Sequence, residues 1–332
     1  MERILGLVFM LMVHTCTSDN NIETLTINTP SGIIKGLKSV YHGTGEHLFE
    51  FRGIPYGKPP VGPLRFSKPE PFGKLKETLD GTTFKEACPQ YGIDFIPDSK
   101  RQEMSEDCLV LNVDVPKDLK RKEALSVMVW VHGGGFSMGH AHQYDGSRIA
   151  MEGNVIVVTI NYCLGIFGFL TVDNPASRGN YGLWDQKLAI EWVHDNIAGF
   201  GGNPDSVTIF GESAGGYSAS FQSLIPSSKG LFQRVIAQSG VVTRHGFQKR
   251  SSIPRFVKDI SEKSSCPTDN MYSFVDCLRG KTIDELLKAT NPFSSMPKDK
   301  FPFEFSGLPV LNGDLFKDHP MGRLEEEQSD VS

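Results

Sequence analysis

The chain has 332 residues, of which 39% are hydrophobic, and this suits one large or two modest domains with a substantial core. Its formal net charge is −5, so basic residues are not in excess, and the composition argues against nucleic-acid binding.

Residues 1–18 have the pattern of a secretory signal peptide. Arg3 provides a positive flank, residues 4–13 are apolar, and residues 16–18 end in small side chains suited to cleavage. Ten apolar residues are too few to cross a bilayer, and no later run reaches that length. We therefore expect a secreted protein without a membrane span, whose domain occupies residues 19–332.

Apolar runs with β propensity recur along the chain, and amphipathic helical patterns alternate with the later ones. Short links between the early runs favour antiparallel pairing, and the whole predicts an α/β fold with a mixed central sheet. The clearest helix is predicted at 186–197. Residues 246–303 are less regular, with helical pieces near 253–264 and 282–289. This region is either a lid or a solvated connection. The predicted strands are 24–28, 33–40, 48–51, 109–115, 125–131, 155–160, 207–210 and 234–237.

Five cysteines lie outside the predicted signal peptide, and secretion would permit disulfides. Cys88 and Cys108 flank a short polar loop, and so do Cys266 and Cys277, so we predict these two pairs. Each bond should stabilise the fold by about 3 kcal/mol. Cys163 follows a buried-looking strand and is left single, and we interpret it as a core thiol rather than a reactive one.

Residues 211–216, Gly-Glu-Ser-Ala-Gly-Gly, lie between a predicted strand and a helix-compatible run. Such a strand–turn–helix setting holds a serine in a strained position with its hydroxyl exposed, and the flanking glycines make room for the bend. The alternative is an ordinary β-turn serine. The motif predicts that Ser213 is a nucleophile.

A serine nucleophile needs an imidazole to remove its proton and a carboxylate to orient that imidazole. In this class of fold the order along the chain is serine, acid, histidine. Only His245 and His319 follow Ser213, and both have the context of ordinary surface histidines. The sequence therefore offers a nucleophile without a convincing acid or base.

Residues 132–136, His-Gly-Gly-Gly-Phe, directly follow the predicted strand 125–131. Three glycines let the backbone approach a ligand and direct N–H groups at one point, where they stabilise the oxyanion of a tetrahedral intermediate. Lipases and esterases add the N–H of the residue after the nucleophile, here Ala214. A flexible loop is the alternative, and a phosphate cradle is disfavoured because no Lys-Ser/Thr follows.

With both motifs present, the chain resembles the type-B carboxylesterases, the cholinesterase-like branch of the α/β-hydrolases. Further matching segments are 51–60, 105–112, 179–186 and 200–204, and the resemblance covers about residues 22–320. It implies an α/β-hydrolase fold with a mixed, mostly parallel central sheet. It also implies hydrolysis of small carboxylic esters through an acyl-serine intermediate, without a cofactor. It also implies that Gly134, Gly135 and Ala214 supply the oxyanion donors, and it supports both predicted disulfides.

The chain departs from the family pattern in two ways. Family members are longer, and their triad acid and histidine lie in a C-terminal part that this sequence lacks, so we expect a C-terminally truncated domain with an unpaired sheet edge. The family usually has Arg where Cys163 stands, so a buried carboxylate, which we expect to be Asp185, should be protonated or paired anew. Glu106 should keep a partner, with Arg52 as the candidate.

Three functions remain open from the sequence. The first is a secreted carboxylic ester hydrolase of which this chain is a fragment or short isoform. The second is a catalytically impaired secreted protein that binds or scavenges esters, and the third is an adhesion module, which the presence of Ser213 disfavours. We expect the chain as written to be poorly stable and nearly inactive. Ester preference and oligomeric state are left open.

Overall fold

The computed structural model describes residues 23–90, 103–119, 122–242, 247–290, 308–311 and 314–316. In these ranges the strands are β1 (Glu23–Thr29), β2 (Gly32–Val40), β3 (His47–Pro55), β4 (Leu79–Asp80), β5 (Val110–Pro116), β6 (Leu125–Val131), β7 (Ile156–Ile160), β8 (Thr171–Asn174), β9 (Ser177–Arg178), β10 (Gly202–Glu212) and β11 (Arg234–Gln238). The α-helices are α1 (Ser147–Gly153), α2 (Gly165–Phe169), α3 (Tyr181–Asn196), α4 (Ala214–Leu224), α5 (Ile253–Ser264), α6 (Met271–Arg279) and α7 (Ile283–Ala289).

One mixed sheet holds most of these strands, in the order β1-β2-β3-β5-β7-β6-β10-β11, with β4 against β2. Neighbours from β1 to β7 are antiparallel, as the short links between the early strands predicted. From β7 through β6 and β10 to β11 the strands are parallel. The mixed sheet predicted from the sequence is therefore confirmed, and β8 and β9 form a separate small ribbon.

The centre of the sheet is completely buried. Every residue of β5 and β7 is buried, and β7 has the sequence Ile-Val-Val-Thr-Ile, whose branched side chains suit a strand covered on both faces. Helices α1, α3 and α4 pack against the strands. Phe51 of β3 meets Phe200 edge to face, with ring centroids 5.0 Å apart, and both rings are fully buried.

Helix α3 begins at Tyr181, five residues before the helical pattern that the sequence makes obvious. Asn180 precedes it in a left-handed conformation, with φ of 62°. Its carboxamide donates to the Val310 carbonyl oxygen at 2.7 Å and accepts from the Val310 N–H at 2.8 Å. This polar clamp ties the start of α3 to a segment 130 residues further along the chain.

The region that the sequence left as a lid or a connection contains packed helices. The predicted pieces near 253–264 and 282–289 are confirmed as α5 and α7, which pack against each other. Helix α6 was not predicted. Its N-terminus is capped by Asn270, whose side chain accepts from the N–H groups of Tyr272 and Ser273. Buried residues such as Phe274 and Leu286 show that the described part of this region is not a solvated connection.

Strand β11 lies at the end of the sheet in the described residues. Four of its five residues are exposed, and Ile236 exposes 43% of its surface. Its backbone pairs with β10 on one side. The described sheet therefore ends on an accessible strand, and the unpaired edge expected of the whole chain stays a prediction.

Candidate active site

The two glycine-rich motifs meet because of the order of the parallel strands. Strand β6 lies between β7 and β10, so the chain leaves β6 toward one side of the sheet and returns on the other. Such a switch in strand order opens a crevice at the carboxyl ends of the strands. Val131, the last residue of β6, pairs with Gly211 near the end of β10, so residues 132–136 and Ser213 emerge side by side.

Ser213 occupies the sharp turn that the motif predicted. It is half-buried, its φ is 56° and its ψ is −120°, and it connects the end of β10 with the first residue of α4. Its N–H donates to the Gln238 carbonyl oxygen of β11 at 2.8 Å, and its carbonyl accepts from the Tyr217 N–H at 2.9 Å. The unusual backbone conformation is thus held from both sides.

The glycine at position 215 is a steric necessity of this turn. A Cβ atom added there would lie 2.0 Å from the Val131 carbonyl oxygen, far inside van der Waals contact. Helix α4 therefore starts against the end of β6, which brings the N–H of Ala214 to the crevice. An N–H in the first turn of a helix has no acceptor within that helix, so it is free to bind an anion.

The loop after β6 presents two further donors. Gly134 has a φ of 104°, and a Cβ atom on it would lie 2.1 Å from the Met138 carbonyl oxygen. In the described structure, neither the Gly134 N–H nor the Gly135 N–H donates to another residue. A Cβ atom added to the preceding Gly133 would lie 3.3 Å from Ser213 Cβ, so the loop runs directly beside the serine.

His132 orients this loop, a role that the sequence analysis missed. Its ring is fully buried and stacks on Tyr162 with centroids 4.4 Å apart. Burial lowers the pKa of His132 to about 4, so the ring is neutral near pH 7. Nδ1 lies 2.9 Å from the Gly133 carbonyl oxygen. Because a peptide unit is rigid and planar, fixing that carbonyl also fixes the direction of the Gly134 N–H.

Two titratable groups lie next to the loop and were also missed. Glu212 is exposed at the end of β10, and its Oε2 would be 3.1 Å from a Cβ atom on Gly133. Partial burial raises the pKa of Glu212. Burial raises the pKa of Tyr144, and the nearby charge of Glu212 raises it further. Glu212 lies inside the serine motif, but Tyr144 is brought here only by folding, without a sequence signal.

The sequence of this chain is similar to those of known proteins. The carboxylesterase family model matches residues 23–332. The chain belongs to the carboxylesterase family. It is 39% identical to liver carboxylesterase 1F of Rattus norvegicus over 95% of this chain and 58% of that protein. It is 42% identical to carboxylesterase 1D of Rattus norvegicus, and 40% identical to liver carboxylesterase 1 of Mus musculus, each over 91% of this chain and 55% of the relative.

Membership in the carboxylesterase family confirms the α/β-hydrolase fold expected from the resemblance. The chain spans between a half and three fifths of the length of the relatives it matches. No helix in the described ranges is long and apolar enough to cross a bilayer. The predicted signal peptide at 1–18 lies outside the described residues.

In the part of this carboxylesterase chain that the structure describes, no histidine ring is bonded to the candidate nucleophile Ser213. Within the described ranges, no hydrogen bond joins Ser213 Oγ to a histidine. His245 and His319, which the sequence analysis considered, both lie outside those ranges. His132 is brought near by the pairing of Val131 with Gly211, but its Nδ1 is engaged with Gly133.

Both predicted disulfides are present. Cys88 is bonded to Cys108. Cys266, which follows the end of α5, is bonded to Cys277 in the last turn of α6. Cys163 is a free thiol with 4% of its surface exposed, which confirms the prediction of a buried single cysteine.

Asp185 is the buried carboxylate that the sequence predicted. Only 2% of its surface is exposed, and its Oδ2 accepts from the Cys163 N–H at 2.9 Å. Burial raises the pKa of Asp185 to about 7, and the hydrogen bonds from Cys163 oppose this rise. Asp185 therefore lies beside the thiol of Cys163, at the position where the family pattern has an Arg guanidinium.

The predicted partner of Glu106 was wrong. Glu106 is bound by Arg65, whose Nε donates to Oε1 at 2.7 Å and whose Nη2 makes a second, short contact with Oε2. Arg52 instead bridges Glu50 and Asp114, with Nη2 lying 2.5 Å and 2.7 Å from their carboxylate oxygens. The cause is strand register: Arg52 lies in β3, which pairs with β5, where Asp114 is located.

Proposed function

We propose that this chain carries the nucleophile and oxyanion hole of a serine-type carboxylic ester hydrolase. The observation that carries the proposal is the position of Ser213, held in a strained turn beside two glycine N–H groups that have no acceptor among the described residues. The substrates are small carboxylic esters. Secretion through cleavage of residues 1–18 belongs to the same proposal.

The proposed reaction begins with attack of Ser213 Oγ on the ester carbonyl carbon. Negative charge then develops on the carbonyl oxygen, where the N–H groups of Gly134, Gly135 and Ala214 stabilise it. Collapse of the tetrahedral intermediate releases the alcohol and leaves an acyl-serine, which water hydrolyses in the second half of the cycle. Removal of one donor from an oxyanion hole typically lowers kcat by a factor of about 10² to 10³.

Attack requires that the proton of Ser213 pass to a general base. The availability of such a base therefore limits the rate of ester hydrolysis. His245 and His319 are the histidines that follow Ser213 in the chain, and each is tested by replacement with Ala. Without an activating histidine, an oxyanion hole and binding alone leave about 10³- to 10⁴-fold acceleration over water.

A second candidate is a secreted protein that binds esters and turns them over poorly. The absence of an imidazole bonded to Ser213 in the described ranges favours it. An adhesion module is the third candidate, and Ser213 counts against it because adhesion requires no nucleophile.

The test is steady-state hydrolysis of p-nitrophenyl acetate by the purified chain, with Ser213→Ala and Ser223→Ala measured alongside. Ser223 is the matched control, because it lies on α4 and is exposed. Turnover that is lost in Ser213→Ala and retained in Ser223→Ala supports the hydrolase. A single burst that depends on Ser213, with no further turnover, supports the impaired binder. Equal rates in all three proteins would overturn both assignments of Ser213.

A further inference from the structure

Three cysteine sulfurs meet in one buried cluster. The Sγ atoms of Cys88, Cys108 and Cys163 all lie within 4.8 Å of one another. Two of them are joined as a disulfide, and the third is a thiol. The exposed surface of each of these residues is 4% or less. Distances of this size bring a thiol within reach of a disulfide, and thiols exchange with disulfides by direct attack.

The polar groups around Cys163 provide a place for its proton. Asp185 accepts from the Cys163 N–H and also lies within hydrogen-bonding reach of the thiol. The other titratable groups that face the thiol are Glu106, which is paired with Arg65, and the buried Tyr56. Because Glu106 is paired with Arg65, the Asp185 carboxylate is the acceptor that can take the proton of the thiol.

A small cavity adjoins the cluster. Its lining includes Cys163, Asp185, Phe167 and Pro89, the last of which follows Cys88 directly. It has room for about one water molecule, so a side chain as small as that of cysteine can rotate into it.

We propose that Cys163 exchanges with the Cys88–Cys108 disulfide, so that the three cysteines share one disulfide and one thiol in more than one pairing. The inference is independent of the proposed ester hydrolysis. It depends on the cysteine at position 163.

The exchange balances without an added oxidant or reductant. The Cys163 thiol gives its proton to the Asp185 carboxylate, and the resulting thiolate attacks Sγ of Cys88 or Cys108. One sulfur–sulfur bond forms while the Cys88–Cys108 bond breaks, and the electron pair of the broken bond remains on the departing sulfur. That thiolate takes the proton back from Asp185, so the numbers of disulfides and of thiols are unchanged.

The arrangement also predicts that the exchange is slow. Attack requires the three sulfurs to lie nearly in line, but both disulfide sulfurs are within 4.8 Å of Cys163 Sγ, which places the thiol beside the bond. The Cys163 side chain therefore has to rotate first, into the adjoining cavity. Burial also raises the pKa of the Cys163 thiol, so the thiolate is a minor species near neutral pH.

The first experiment follows the position of the free thiol in the unmodified chain. The protein is incubated at pH 7.5 and at pH 8.5, quenched with acid, unfolded, labelled with N-ethylmaleimide and mapped by peptide mass spectrometry. We expect label to increase with time at Cys88 or Cys108, at rates that differ by less than about twofold between the two pH values, because the proton passes within the protein to Asp185, whose pKa of about 7 leaves it mostly ionised at both. Label on Cys266 or Cys277 would indicate general scrambling through unfolding, and label confined to Cys163 at every time would overturn the proposal.

Trapping variants provide a second measurement. Cys108→Ser should yield a Cys88–Cys163 disulfide after oxidation with glutathione, and Cys88→Ser should yield Cys108–Cys163. Cys266→Ser is the matched control, because it leaves one free partner, Cys277, outside the cluster, and no bond between Cys277 and Cys163 is expected. Failure of both traps in folded protein would contradict the proposal.

Discussion

At the scale of single residues, Asp185 makes stability depend on pH in an unusual direction. Its pKa is raised to about 7 in the fold, whereas an unfolded aspartate titrates near 4. Between these values the folded chain keeps a proton that the unfolded chain has lost. The contribution of Asp185 to stability is therefore full below about pH 4 and lost as the pH rises through 7.

The variant Asp185→Asn tests this dependence. An amide oxygen can still accept from the Cys163 N–H, but it carries no charge to bury at high pH. We expect the variant to gain stability relative to the original chain between pH 5 and pH 8, by on the order of a few kcal/mol. Urea unfolding at both pH values measures the gain. Asp205→Asn, on an exposed side chain, should show no such change.

His132 should act in the opposite direction. Burial lowers its pKa from 6.5 to about 4, so stability is lost as the pH falls through this range and the unfolded histidine takes up a proton. His132→Phe keeps the stack on Tyr162 and removes the titration. Its loss of stability between pH 6.5 and pH 4.5 should be clearly smaller than that of the original chain. Burial also lowers the pKa of His140 to about 4 and lowers the pKa of His142, so both contribute to what remains.

An unchanged pH dependence in His132→Phe would show that the ring is not the neutral, buried group described here. The measurement is urea unfolding at three pH values, and it does not require catalytic activity.

The sequence predicted only some of the contacts between residues that are distant along the chain. Ser213, the glycine donors and the disulfide pairs were predicted because each is carried by a local motif or a short loop. The partner of Glu106 was mistaken because the register of β3 against β5 places Arg52 beside Asp114, while folding brings Arg65 to Glu106, and neither is a local property of the sequence. Tyr144 was missed for the same reason, since only the packed fold brings it to the loop after β6.

At the scale of elements, the loop after β6 allows a comparison between two glycines in left-handed conformations. A Cβ atom at Gly134 would lie 2.1 Å from a backbone oxygen, whereas nothing lies within 4 Å of one at Gly135. Gly135→Ala should therefore lose only the conformational term, about 1 kcal/mol, and Gly134→Ala should lose distinctly more. Urea unfolding of the two variants decides this, and equal losses would contradict the described loop.

Helices were predicted where their pattern is amphipathic and long. The predicted helix at 186–197 lies largely within α3, and α5 was found at its predicted bounds. Helix α6, by contrast, has only nine residues, and a disulfide joins its Cys277 to Cys266 before the helix. Its helical state depends on Asn270 at its start and on burial of Phe274 and Leu278. Such support comes from tertiary packing, which periodicity alone does not reveal.

At the scale of the whole molecule, we expect β11, the end strand of the sheet in the described ranges, to make the chain associate with itself. Ile236 and Ile33 each expose 43% of their surface, but Ile33 lies on β2, which has strands on both sides. Ile236→Lys should reduce association, because a charge on an edge strand opposes further pairing. Ile33→Lys should have little effect. Sedimentation velocity at several concentrations measures both, and equal effects would show that exposure alone, without the edge, governs association.

Arg65 has a consequence for how the protein is made. Its guanidinium is bound by Glu106, 41 residues away, and also donates to the carbonyl oxygens of Arg279 and Lys281, more than two hundred residues away. A ribosome therefore delivers Arg65 and Glu106 long before it delivers the remaining acceptors. Until synthesis has passed residue 281, the nascent chain holds a guanidinium whose final surroundings do not yet exist, and during this interval it should depend most on chaperones.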